Sequence, residues 1–125
     1  MKIDRIDHIV LTVENIDSSI KFYTDILGME SKEFKPWRFS LHFGNQKINL
    51  HESGNEFDPK ANKPTPGSAD LCFIASQGIN SVLKELNAKG IEIIDGPVER
   101  TGALGKITSI YFRDPDNNLV EVSEY

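Results

Sequence analysis

The sequence predicts an α+β protein made of two βαβββ modules in tandem. Only two segments have helical periodicity, and each stands among short runs of β-branched and alternating residues. The same order of elements occurs on both sides of a segment rich in proline and glycine. Short stretches of the two halves also align with each other: 7–11 with 69–73, 27–30 with 89–92, and 48–50 with 120–122. We therefore expect two equivalent curved mixed sheets, each with one helix on one face and a cavity on the other.

The first module is predicted to span residues 4–52. Its first strand, 5–13, is rich in isoleucine and valine. Asp17 is a plausible N-cap for a helix that continues to about Leu27, and Gly28 occupies the position where glycine commonly ends a helix. The remaining strands are predicted at 29–35, 37–43 and 46–51, with Gly44 and Asn45 as the turn between the last two.

Residues 53–67 are predicted to form a linker or a lid, because they contain three prolines and little apolar content. The second module, 68–125, then repeats the first. It is predicted to contain a strand at 68–75, a helix at 79–89, and strands at 91–98, 105–112 and 119–123. The segment 114–118 (DPDNN) before the last strand has the composition of a tight turn, in which Asn tolerates a positive φ.

The composition excludes several classes of function. A net charge of −5 over 125 residues, with the 14 basic side chains scattered, argues against a nucleic-acid partner. No apolar run approaches membrane-spanning length, and the N-terminal residues lack a signal-peptide pattern. The only cysteine, Cys72, cannot form an internal disulfide, so a cytoplasmic protein is expected.

Side-chain alternation identifies the candidate site. In each predicted strand one face is apolar and suits the helix, whereas the other mixes polar and apolar residues and should line the cavity. His8, His51 and Glu121 lie on that second face and together would bind a divalent metal ion through two imidazoles and one carboxylate. Asp70 is equivalent to His8 in the repeat and is predicted as a fourth ligand, a hydrogen-bond acceptor behind the ligands, or the catalytic base; Glu121 is the alternative base.

Four further residues on this face are predicted to contact substrate: Arg38, His42, Asn49 and Tyr111. Arg38 suits an anionic group, since its guanidinium can form two parallel hydrogen bonds to a carboxylate. An exposed charge on the sheet is an equally good interpretation of Arg38, and His42 is better explained as an ordinary strand histidine.

Three stretches resemble the vicinal oxygen chelate superfamily of glyoxalases, bleomycin-resistance proteins and extradiol dioxygenases. They are 7–13 (DHIVLTV), 22–29 (FYTDILGM) and 112–121 (FRDPDNNLVE). The segments 46–51, 64–71 and 100–103 are similar, more narrowly, to the glyoxalase domain-containing subgroup sometimes labelled virulence proteins.

The resemblance implies paired modules around a divalent ion (Ni, Zn, Fe or Mn), held by residues such as His8 and Glu121 from the first and last strands of the modules. It also implies a small-molecule substrate and a homodimer. Asn49 stands where metal-dependent glyoxalase I has Glu, and Asp70 where it has His; His51 is then a candidate replacement ligand. The expected function is a glyoxalase-type lyase or isomerase acting on vicinal oxygens, for example a glutathione hemithioacetal. An extradiol-type Fe(II) dioxygenase and a non-catalytic binding or resistance protein are the alternatives.

Overall fold

The computed structural model describes all 125 residues, which divide into two compact units, Met1–Gly67 and Ser68–Tyr125. Each unit contains one helix and one four-stranded sheet. The predicted α+β class and the two tandem modules are therefore confirmed. No helix combines the length and the apolar character that crossing a membrane requires.

The first module has a mixed sheet in the order β1-β4-β3-β2. Strand β1 runs parallel to β4, and the other neighbours are antiparallel. Its elements are β1 (His8–Val13), α1 (Ile16–Asp25), β2 (Glu30–Lys35), β3 (Arg38–Phe43) and β4 (Gln46–Glu52).

The second module has the equivalent order β5-β8-β7-β6, with β5 parallel to β8 and the other pairs antiparallel. Its elements are β5 (Asp70–Ile74), α2 (Ile79–Ala88), β6 (Asp95–Gly102), β7 (Gly105–Arg113) and β8 (Leu119–Glu124). The two outer strands β1 and β5 thus occupy matching edge positions in their own sheets.

Each module buries one apolar sheet face together with its helix. In the first module Leu11, Val13, Ile48 and Leu50 are at most 5% exposed, and Tyr23 of α1 is fully buried with them. In the second, Phe112, Val120 and Val122 alternate in the same way against Val82 and Leu86 of α2. The alternation leaves the opposite face of each sheet to the polar residues that the sequence marks as candidates.

The N-cap of α1 is Asn15, not the predicted Asp17. The Asn15 side-chain oxygen accepts a hydrogen bond from the Ser18 backbone N–H at 2.8 Å, and Asp17 lies in the first turn. Both residue types cap helices well, so composition alone does not separate two candidates two positions apart. In α2 the cap is Gly78, and the carboxylate of Glu124 accepts from the Ile79 N–H at 2.8 Å instead.

Several strand boundaries also differ from the prediction: β1 begins at His8 rather than residue 5, and β5 spans Asp70–Ile74 rather than 68–75. Trp37, predicted to begin β3, has a φ of +64° and lies in the turn before it. Strand β6 begins at Asp95 rather than residue 91, and its pairing with β7 is irregular between Asp95 and Val98. The apolar run from Ile91 predicted an earlier start, whereas Gly96 and Pro97 place a bulge at the start of the strand.

The turn before β8 forms as its composition predicts. The carboxylate of Asp114 accepts from the backbone N–H groups of Asp116 and Asn118 and from the Asn118 side-chain amide, all within 2.9 Å. Asn117 has the expected positive φ, +64°. Asn118 also accepts from the Ala69 N–H at 2.8 Å, so the turn fixes the start of β5 as well as β8.

Candidate functional site

Glu121 is the candidate acid that side-chain hydrogen bonds hold in place. One oxygen, Oε1, accepts hydrogen bonds from Ser109 at 2.5 Å and from Ser123 at 3.2 Å. Both serines are fully buried and lie 2.7 Å from each other. The half-buried carboxylate is therefore held in one orientation through Oε1.

Tyr111 lies directly opposite Glu121 across the β7–β8 pair. Burial, reinforced by a hydrogen bond with Glu121, raises the pKa of the Tyr111 hydroxyl. Arg100 donates to that hydroxyl through Nε at 3.2 Å and also binds the Asp95 carboxylate at 3.1 Å. Tyr111 thus joins a cation on one side to the candidate acid on the other.

Asp70 and Glu121 are diagonal neighbours on the same sheet face. Strand β5 pairs with β8 so that Cys72 lies opposite Glu121 and Asp70 lies two positions earlier. Two residues along a strand and one strand across correspond to about 8 Å between Cα atoms. Two carboxylates at that spacing are able to approach a common ion or proton.

His8 has the hydrogen bond that orients many metal-binding imidazoles. Its Nδ1 lies 2.7 Å from the carboxylate of Asp7, so that the neutral ring holds its proton on Nδ1 and presents a free lone pair at Nε2. The hydrogen bond from His8 is also the main reason why the pKa of Asp7 is lowered.

The register separates His8 from His51. His8 pairs with Lys47 and His51 pairs with Thr12, so the two imidazoles are four positions apart along neighbouring strands. That offset is about 13 Å along the strands, which exceeds the span that two imidazoles on one ion reach with metal–nitrogen bonds of about 2 Å. The geometry of this module therefore argues against His51 as a co-ligand of His8.

His51 and Asn49 each have one buried polar atom that makes no hydrogen bond. His51 Nδ1 and Asn49 Oδ1 are both buried without a hydrogen-bond partner. Burial, and then the positive charge of Arg38, lower the pKa of His51. A cavity of about 250 Å³ lies against His51, with Thr12 and residues of the 53–67 segment in its wall.

Arg38 and His42 already have partners inside the first module. The Arg38 guanidinium lies 4.0 Å from the centre of the Phe57 ring, and Phe57 in turn meets His51 edge-to-face at 5.5 Å. His42 Nε2 lies 2.8 Å from the hydroxyl of the buried Ser40. Their predicted contacts with substrate stay predictions.

Neither module contains a complete metal centre by itself. No group of three or more His, Cys, Asp or Glu side chains that would hold an ion is present in the structure. The individual donors nevertheless have suitable chemistry, because His8 is oriented by Asp7 and Glu121 by two serines. A larger cavity of about 390 Å³, which Trp37 and Phe39 help to line, contains none of the predicted site residues.

Two residues of this network, Ser109 and Arg100, were not predicted as site residues. Ser109 lies two positions before Tyr111 on β7, and strand alternation therefore places it on the same face. That parity was the available signal. Arg100 has no such signal, because its contact with Tyr111 depends on the irregular β6–β7 register.

Comparison with known proteins gives one family. Residues 5–122 match the model of the Glyoxalase/Bleomycin resistance protein/Dioxygenase superfamily. The whole chain is 60% identical to Virulence protein STM3117 of Salmonella typhimurium (strain LT2), covering 87% of that protein, and its crystal structure superposes with a TM-score of 0.99 over 100% of this chain and 99% of the other. The whole chain is also 51% identical to Glyoxalase domain-containing protein RDO1 of Mycosarcoma maydis, covering 70% of it.

A relative with a named activity is more distant. The crystal structure of lactoylglutathione lyase from Agrobacterium tumefaciens is 25% identical, with a TM-score of 0.75 over 99% of this chain and 96% of that one.

Proposed function

Because the chain belongs to the glyoxalase/bleomycin resistance protein/dioxygenase superfamily, we propose that it is a metal-dependent lyase or isomerase of the glyoxalase type. Its substrate is a small molecule with two adjacent oxygens, such as a glutathione hemithioacetal. The observation that carries this proposal is the Glu121 carboxylate, which two buried serines orient through one of its oxygens.

His8, Asp70 and Glu121 are the residues that we propose as metal ligands. They are one oriented imidazole and two carboxylates, and such a set suits Ni, Zn, Fe or Mn ions. His8 and Asp70 occupy equivalent positions of the repeat. A bound divalent ion supplies Lewis acidity to the two substrate oxygens. The C–H proton of the hydroxyl-bearing carbon, next to the carbonyl, would then be acidic enough for a carboxylate to remove.

The proton transfer is assigned to the carboxylates of the second module. Glu121 Oε2 or Asp70 accepts the proton from one carbon and returns it to the next. Tyr111, with its raised pKa, stays protonated near neutral pH and serves as a hydrogen-bond donor beside Glu121. The likeness to lactoylglutathione lyase supports a reaction of this class.

The test is isomerisation of the methylglyoxal–glutathione adduct by the metal-loaded protein. We expect activity with Ni²⁺ or Zn²⁺ and a loss of at least about a hundredfold in Glu121→Gln, since a base contributes 10²–10⁴-fold. Glu99→Gln is the matched control, because Glu99 is an exposed acid of β6 paired with Lys106. Absence of activity in the metal-loaded wild type rejects the hemithioacetal as substrate.

The dioxygenase alternative requires two imidazoles and one carboxylate on an iron ion. The four-position offset between His8 and His51 disfavours that set. Fe²⁺-dependent oxygen uptake with a catechol, absent with Zn²⁺, would favour it over the lyase.

We also propose that the chain forms a homodimer in the cytoplasm. Val10 and Ile74 lie on the edge strands β1 and β5, and their side chains are 48% and 53% exposed. Exposed apolar side chains on edge strands are often buried by a second protein chain. Sedimentation should give a dimer for the wild type and a monomer for Ile74→Lys. A monomeric wild type contradicts the proposal.

A further inference from the structure

The cavity of about 390 Å³ in the first module combines side chains that suit one class of ligand. We propose that it binds a small organic cation, with an alkylated ammonium group between Trp37 and Glu52 and the rest of the molecule against the apolar wall. The lining contains none of the residues of the proposed metal and substrate site, so the inference goes beyond the proposed function.

The cavity lies on the side of the first sheet that faces helix α1. Phe39 on β3 pairs with Leu50 on β4, and Leu50 belongs to the buried core beneath the helix. Glu52 follows Leu50 by two positions and therefore shares its face. His51 lies between them in sequence and points to the opposite face. The cavity is thus separated by the sheet from the polar face that carries the proposed ligand His8.

The lining joins aromatic rings to acids. Its aromatic side chains are Trp37, Phe39 and Phe57, and its only charged side chains are Asp17 and Glu52. Neither acid forms an ion pair with a basic side chain. An anionic ligand would be repelled by two like charges, and a neutral apolar one would leave both carboxylates without a partner. A cation that carries methyl or methylene groups matches the acids and the faces of the rings together.

Trp37 occupies a position where a turn normally favours a small residue. It is the second residue of the two-residue turn between β2 and β3, and its φ is +64°. Pro36 precedes it, and a Pro followed by a residue of positive φ is typical of a type II turn, which prefers Gly or Asn at the second position. The Trp37 side chain is 78% exposed, so burial in the core does not offset this conformational cost. A ligand contact is a better explanation of this exposed indole than packing is.

The indole is also held in place. The Trp37 backbone N–H donates a hydrogen bond to Glu33 Oε1 at 3.2 Å, so the carboxylate of one strand fixes the turn that follows it. The volume of about 390 Å³ is within the range of small-molecule sites, which is roughly 300–1,000 Å³. An ammonium group with a few carbon atoms therefore fits beside a preformed aromatic surface.

The charges around the cavity favour a cation. Asp17 lies in the first turn of α1, where the positive end of the helix dipole offsets about half of its charge. Glu52 is half-buried at the end of β4 and adds a full negative charge. Arg38 stacks on Phe57 at 4.0 Å, but it directly precedes Phe39 on β3 and therefore starts from the opposite sheet face. The net charge of the lining is negative, and Glu52 is its main source.

The test uses the fluorescence of Trp37, which is the only tryptophan of the chain and thus reports on this cavity alone. Chelator-treated full-length protein is titrated with choline chloride, with sodium chloride as the control for ionic strength. The uncharged probe of the same shape is the alcohol in which carbon replaces the quaternary nitrogen of choline. We expect choline to change the Trp37 emission saturably. The alcohol should bind at least about tenfold more weakly, because it has no charge for the rings and the acids to attract.

Matched variants make the test specific. Glu52→Gln should weaken choline binding about fivefold, as the loss of a partly exposed ion pair implies, and should leave binding of the alcohol unchanged. Glu30→Gln, the same change at an exposed acid of β2 outside the cavity, should have no effect. Trp37→Gly should lose choline binding, measured by calorimetry, while its melting temperature does not fall, because Gly accepts the positive φ.

Four outcomes would overturn the proposal. They are an unchanged Trp37 emission at the highest choline concentration, equal affinity for choline and the alcohol, equal effects of Glu52→Gln and Glu30→Gln, and choline binding that survives in Trp37→Gly. The result is separable from that of the proposed function, because binding is measured without metal or turnover. A protein that fails the isomerase assay but binds choline leaves this site standing, and an active isomerase that does not bind choline rejects this site alone.

Discussion

At the scale of the residue, Ser109 is the clearest positioning group. It donates to Glu121 at 2.5 Å and is fully buried with Ser123. We expect Ser109→Ala to cost about 1–3 kcal/mol of stability, because a hydrogen bond to a charged group is lost in a buried place. Turnover of the folded variant should fall about tenfold or more, which simple destabilisation would not produce.

The control for Ser109 is the neighbouring Thr108→Ala. Thr108 is adjacent on β7, so its side chain lies on the opposite face of the sheet. The Thr108→Ala variant should leave turnover unchanged. Stability and activity are measured by denaturant unfolding and by the isomerase assay, and an equal loss of activity in both variants would contradict the positioning role.

His51 is expected to make the protein less stable in mild acid. Its pKa is lowered from 6.5 by burial and by Arg38, so the unfolded chain binds the proton more readily than the folded one. The free energy of unfolding should therefore fall as pH decreases below about 6.5. His51→Gln should remove part of this fall between pH 7.5 and 5.5, whereas a wild-type His51 that titrates at or above 6.5 by NMR would contradict the expectation.

Alternation predicts which face of a sheet a strand residue occupies, but it does not predict the register between neighbouring strands. Alternation placed His8, Asn49 and His51 on one sheet face, and the strand pairing agrees. The pairing offset that separates His8 from His51 is not encoded in alternation, since any even shift keeps the same faces aligned. A ligand set chosen by face alone therefore joined two residues four positions apart.

At the scale of the element, strand β6 depends on Gly96. Its φ is +99°, and a Cβ added there would lie 2.3 Å from the backbone oxygen of Ser109. Gly96→Ala should therefore destabilise the protein by more than the roughly 1–3 kcal/mol expected for an unfavourable φ. It should also disturb the Ser109–Glu121 hydrogen bond, because the contact is with the Ser109 backbone.

Gly105 provides the matched comparison for Gly96. It too has a positive φ, +139°, but no atom lies within 4 Å of an added Cβ. Gly105→Ala should thus report the conformational cost alone. Denaturant unfolding of the two variants measures the difference, and equal losses would show that the close approach to Ser109 is unimportant.

Element boundaries were predictable where one residue type decides them and not where several compete. The DPDNN turn formed as expected, since Asp114 is the acceptor that its geometry requires. The N-cap of α1 is Asn15 and not the predicted Asp17, and composition did not separate them because Asn and Asp have similar capping strength. Strand β6 begins later than predicted because it starts with a bulge beside Gly96, which has a positive φ. The pattern of apolar residues does not reveal such a bulge.

At the scale of the whole molecule, the internal repeat made the fold predictable. A duplicated order of elements constrains both halves at once, and the structure has matching sheet orders in the two modules. The candidate site was less predictable, because side-chain hydrogen bonds have no periodic signal in the sequence. Asp7 is the sequence neighbour of His8, and Ser109 reaches Glu121 across a strand pair; the hydrophobic periodicity predicts neither hydrogen bond.

Metal binding is the prediction that concerns the whole chain. An ion held by the proposed ligands His8, Asp70 and Glu121 would bind the folded chain and not the unfolded one. With free metal at 100 times the dissociation constant, the folded state gains about 2.7 kcal/mol. For a chain of this size we expect Ni²⁺ or Zn²⁺ to raise the melting temperature of chelator-treated protein by about 10 °C.

His8→Gln and Glu121→Gln should abolish that rise, and Glu99→Gln should retain it. A rise that survives both ligand variants would place the ion elsewhere, and elemental analysis of gently purified protein would then identify the metal without identifying the site.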